Sequence, residues 1–172
     1  MRPARCEYMQ QASAKKNNKG LSVLEIVVAV GIMSLVVFSL GKVNETALRL
    51  SSESADRSEA SLLLNEGMEA VRFLRDKSWG QKISLLTLGQ NYYLAFATST
   101  GYMATTTAPA LIDGKFTRTV VFSEALRDEE DTLASSGAND PSARKVTIIV
   151  SWQNRDSYSE NLVFYITDIL EN

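Results

Sequence analysis

The sequence predicts an α+β protein in which one long amino-terminal helix packs on a small antiparallel β-sheet. Three observations carry that prediction. An apolar run at 21–41 passes without proline into a stretch to about residue 78 that is rich in helix formers. After Gly80 the pattern changes to short runs of β-branched and aromatic residues, and the turn-rich NRDSYS at 154–159 separates the last two of them.

The chain of 172 residues is long enough for one ordinary domain and an appendage, not for two large domains. Its charge is split. Arg2, Arg5, Lys15, Lys16 and Lys19 face only Glu7 in the first twenty residues, a net +4, whereas residues 21–172 carry a net −6. Histidine is absent and Cys6 is the sole cysteine. That excludes Ser-His-Asp and Cys-His catalysis, Cys/His zinc sites and an intramolecular disulfide. Cys6 precedes the apolar run instead of following it, which does not suit lipid attachment, and an acidic body does not favour phosphate contacts with nucleic acid.

Residues 1–20 form a basic leader. Residues 21–41, LSVLEIVVAVGIMSLVVFSLG, contain fifteen apolar residues and one charge, Glu25. A helix of that length spans about 30 Å, the thickness of a bilayer core. The cations before it and the mixed charges after it predict a cytoplasmic amino terminus and an extracytoplasmic remainder. A cleaved secretory signal has a shorter apolar stretch and no use for a carboxylate, and Ser39-Leu40-Gly41 is a poor cleavage site. Glu25 has two readings. Five residues into the run, it reaches water at the headgroups, or its partner belongs to another chain, since the run contains no cation.

The stretch Lys15-Lys16-Asn17-Asn18-Lys19-Gly20 followed by Leu21-Ser22-Val23-Leu24-Glu25 and an apolar helix resembles the class III signal of type IV prepilins and type II secretion pseudopilins. The resemblance covers about residues 15–41. It implies cleavage by a prepilin peptidase between Gly20 and Leu21, N-methylation of Leu21, and a role for Glu25 in assembly. The implied partners are other pilin or pseudopilin subunits, an inner-membrane assembly platform and membrane lipid. Leu21 stands where the family most often has phenylalanine, and Lys42 where many major pilins have proline. The chemistry is coherent. Cleavage creates an α-amino cation at Leu21, which in a packed filament core neutralises Glu25 of a neighbouring subunit.

Residues 42–79 continue the helix beyond the membrane. Leu64, Met68, Val71 and Leu74 are spaced on one face for packing. From Leu21 to Lys77 such a helix would extend about 85 Å at 1.5 Å per residue. Gly67 and the serine-rich SSESADRSEAS at 51–61 are candidate bends, and the serine stretch reads either as a solvated helix or as a linker. Glu66, Glu69, Arg72 and Arg75, spaced by three, read as a solvated face rather than a catalytic pair.

The sheet domain covers 80–172, with strands at 92–96, 116–122, 146–152 and 162–167. Gly101, the threonine-rich run to Thr107, Pro109 and Gly114 separate the first two. KVTIIVSW and NLVFYIT form a closing hairpin that resembles the last hairpin of minor pilins and pseudopilins. Arg127–Pro141 reads as an acidic loop. Its Asp128, Glu129, Glu130 and Asp131 are oxygen donors of the kind calcium takes, but their spacing matches no defined calcium loop, and a run of like charges is commonly just solvated.

The sequence thus points to a non-enzymatic structural subunit, a minor pilin or pseudopilin without a cofactor. The alternative is a single-pass anchored extracytoplasmic binding domain that does not polymerise and keeps its leader.

Overall fold

The computed structural model describes Gly20 and residues 22–169. Helix α1 (Val23–Lys77) is continuous for 55 residues, and a single turn, α2 (Trp79–Lys82), follows it. No proline occurs between Pro3 and Pro109, so nothing in α1 removes a helical N–H. Ser78 ends α1 and caps α2, its hydroxyl accepting from the Gln81 N–H at 3.3 Å. The chain divides into two compact units between Leu48 and Arg49. The first contains the apolar half of α1, and the second contains the rest of α1 with the sheet.

The six strands are β1 (Asn91–Ala97), β2 (Gly101–Thr105), β3 (Phe116–Arg127), β4 (Leu133–Ala134), β5 (Ala138–Gln153) and β6 (Ser157–Thr167). They pair antiparallel in the order β2-β1-β3-β5-β6, with β4 beside β3. One face of the sheet takes α1. Ala60, Leu63, Leu64, Ala70, Val71 and Leu74 lie buried against Val120, Phe122, Val146, Ile148, Val150 and Ile166. Met68, expected on that helical face, packs half-buried at its margin.

Three expectations are corrected. Gly67, a candidate bend, lies within the uninterrupted α1 and serves packing. A Cβ there would lie 3.1 Å from Arg118 Cδ and 3.2 Å from Ile148 Cδ1, so the glycine lets helix and sheet approach closely. The segment read as a break after Phe96 contains β2, which turns back on β1 through Gly101 at φ +76° and pairs Tyr93 with Thr105. Its glycine and threonines mask the alternation. The acidic segment 127–141 is likewise not all loop. It contains β4, and β5 starts at Ala138, eight residues before its expected start at Val146. Pro141 is accommodated because the β3–β5 register jumps there from Glu124↔Arg144 to Ala125↔Asp140, so no ladder bond with β3 is asked of its missing N–H.

The serine-rich stretch is helical and held by polar contacts. Arg57 donates to Glu160 at 2.8 Å, Tyr158 donates to Glu53 at 3.4 Å, and Lys115 pairs with Asp56. The closing hairpin is also present, with a tighter turn than expected. Gln153 pairs with Ser157, which leaves only Asn154, Arg155 and Asp156 outside the strands.

Candidate membrane and assembly segment

Gly20 is exposed, and nothing lies within 4 Å of the position a Cβ would occupy. Lys15, Lys16, Lys19 and Leu21 lie outside the described residues. The Ser22 carbonyl accepts the first helical bond, from the Ile26 N–H at 3.1 Å, and Glu25 stands in the first turn, where a carboxylate complements the helix dipole.

From Val23 to Leu40 the apolar side chains point out on every side of the helix, all of them exposed: Val27 by 62 %, Leu35 by 69 % and Phe38 by 69 %. α1 is long and apolar enough in this half to cross a membrane. A helix apolar all round has no solvated face, unlike one made to lie on a soluble core. Its two serine hydroxyls are internally satisfied. The Ser34 hydroxyl donates to the Val30 carbonyl and the Ser39 hydroxyl to the Leu35 carbonyl, both at 2.8 Å, so neither presents a bare hydroxyl to an apolar medium. The first cation after Gly20 is Lys42, and it is paired with Glu45 at 3.2 Å. Glu25 is therefore the only ionisable side chain in the apolar half.

The acidic segment binds itself. The Asp128 carboxylate accepts from the Glu130 N–H at 3.1 Å, from the Thr132 N–H at 2.8 Å and from the Thr132 hydroxyl, and these bonds hold it below its usual carboxylate range. Asp131 lies 3.5 Å from Arg127 Nε, and Arg127 also donates to the Asp131 carbonyl. The same Nε lies 2.7 Å from Asp140, a carboxylate pulled down to about 2 by the Ser142 hydroxyl and by Arg127. Among the described residues, no group of three or more His, Cys, Asp or Glu is arranged to hold a metal ion. Asp128, Glu129, Glu130 and Asp131 do not converge as a set.

One polar group was not anticipated. Arg118 is buried between α1 and the sheet, its Nη1 donating to the Leu63 carbonyl at 3.0 Å and lying 3.0 Å from Glu66 Oε2. Tyr102 donates to the same carboxylate at 3.0 Å. Hydrogen bonding from Arg118 lowers the Glu66 pKa against the effect of burial, and burial together with Glu66 raises that of Tyr102. Glu66 is thus part of the helix–sheet joint, while Glu69 and Arg72 pair on the solvated face at 2.7 Å. The signal was present in the sequence. Arg118 occupies an inward position in the alternation Phe116, Arg118, Val120, Phe122.

No family model, no curated protein and no solved structure matches this chain.

Proposed function

We propose that the chain is a structural subunit of a type IV pilus or type II secretion pseudopilus, of the minor pilin or pseudopilin kind, processed at Gly20 and assembled through α1. One observation carries the reading. A single unbroken helix begins three residues after Gly20 as an all-round apolar segment containing only Glu25, and ends as the amphipathic helix that covers an antiparallel sheet. A membrane anchor alone needs neither a carboxylate within the apolar run nor the continuity. A subunit that moves from lipid into a bundle of like helices uses both. In lipid the apolar side chains face acyl tails, and in the bundle they face other helices. Glu25 then meets the α-amino group at Leu21 of a neighbour. The leader cations set the orientation, amino terminus cytoplasmic and sheet domain extracytoplasmic.

Intact-mass measurement and amino-terminal sequencing of the membrane-bound protein test this, with a mature chain beginning at Leu21 as the expected result. Gly20→Val should leave the precursor uncut, because a peptidase cleft shaped for glycine has no room for a branched side chain at the scissile bond. A functional pool that keeps Met1 would favour the anchored binding domain, and a terminus near Lys42 would identify an ordinary secretory signal.

A further inference from the structure

β1 and β3 begin as partners and then part. Asn91 pairs with Val121 and Tyr92 with Val120. The same register would next set Leu94 against Arg118 and Phe96 against Phe116, but those pairs do not form. These residues line a cleft of 320 Å³ between the two strands, closed on its third side by the connection at 109–112.

The backbone groups that face this cleft follow from the ladders. In an antiparallel sheet a residue turns its N–H and C=O to one side, and the side alternates along the strand. Phe116 exchanges both of its backbone bonds with Ile112, at 2.8 and 2.9 Å, on the side away from β5. Arg118, two residues on, turns the same way and points its backbone into the cleft. Tyr92 meets β3 at Val120, so by the same alternation Leu94 and Phe96 turn theirs into the cleft from the opposite wall. Two antiparallel edges thus face each other across a gap, and the β1–β3 ladder, which ends at Tyr92↔Val120, pairs none of these three residues. Unpaired peptide groups at a partly enclosed site are costly unless water or another polar group meets them.

We propose that this fork receives an extended, uncharged segment of another polypeptide, three or four residues long, whose backbone bonds to Leu94 and Phe96 on one side and to Arg118 on the other. An inserted strand is the one ligand that presents donors and acceptors along both of its edges at the strand repeat of about 3.4 Å. The segment is uncharged because the one charged side chain at the cleft, Arg118, is already paired with Glu66. The inference is independent of the assembly reading, since the fork lies wholly in the sheet unit.

The test uses the full chain in detergent micelles and the peptide acetyl-Ser-Val-Thr-Val-Ser-amide, observed through backbone amide resonances. The expected result is a saturable shift and slowed hydrogen exchange at Leu94, Phe96 and Arg118. The same peptide N-methylated at alternate residues should bind at least tenfold more weakly, because it loses donors along one edge and keeps its side chains. Ala110→Trp, at an exposed position on the cleft wall, should weaken binding similarly without changing the melting temperature. No saturable change at millimolar peptide would overturn the proposal, as would equal binding of the N-methylated peptide.

Discussion

Glu25 is the single carboxylate in the apolar half of α1. Replacing it by glutamine lowers the cost of entering lipid, since an amide carries no charge to desolvate. Under the proposed assembly the same change removes the partner of the α-amino group at Leu21. Glu25→Gln should therefore insert in the membrane as wild type does and enter filaments severalfold less. Immunoblots of membrane and sheared-filament fractions from cells expressing both forms check this, and equal incorporation at equal membrane content would reduce Glu25 to a headgroup contact. Arg118 is the contrasting residue. Its charge is buried against Glu66 in the joint between α1 and the sheet, where the alternation of β3 already placed it, yet nothing in the sequence named Glu66 as the partner 52 residues away.

At the scale of elements, the segment joining β3 to β5 carries the most information that the sequence concealed. Gly137, at φ +148°, approaches the β3 end so closely that a Cβ would lie 1.9 Å from the Arg127 carbonyl oxygen. Backbone cannot yield as a flexible side chain can. Gly137→Ala should destabilise the sheet unit by about 3 kcal/mol, combining clash and backbone strain, read as a lowered denaturation midpoint at unchanged slope. Asp140 gives the segment a pH response. An unfolded aspartate titrates near about 3.9, whereas folded Asp140 titrates at about 2. The depressed value means that the folded state prefers the carboxylate. Its stabilisation is present above about pH 4 and is lost as pH falls toward 2. The melting temperature should decline across that window, and the decline should be shallower in Asp140→Asn. An unchanged slope in the variant would show that Arg127 and Ser142 do not act through this carboxylate.

For the molecule as a whole, the division between Leu48 and Arg49 predicts where the chain can be cut. The core of the second unit joins residues from Ala60 to Ile166 and needs no cysteine. A fragment spanning 49–172 should be soluble, monomeric at micromolar concentration and cooperative in thermal unfolding, with the same melting temperature in EDTA. A fall of several degrees on chelation would restore the acidic segment as a metal site. The unit begins inside α1, thirty-one residues before the strand-rich segment that the change of periodicity at Gly80 marks. Periodicity reports local conformation, and the amphipathic half of α1 has the same local conformation as the apolar half.

By itself the sequence determined what depends on neighbours along the chain. It specified the proline-free helix, the all-round apolar segment with Glu25, the helical face of Leu64, Val71 and Leu74, four strands and the closing hairpin, because propensity, period and hydropathy act over a few residues. Only the tertiary structure decided what depends on residues far apart. Gly67 became a close-packing position because Ile148 and Arg118 lie against it. β2 and the start of β5 became strands because ladders with β1 and β3 supplied their hydrogen bonds despite glycine, threonine and proline. Asp128 became the acceptor for its own loop and Asp131 a partner of Arg127, while Glu129 and Glu130 stayed exposed. Such contacts form where loop-closure entropy is offset by burial and pairing across the fold, a balance that no short window of sequence contains.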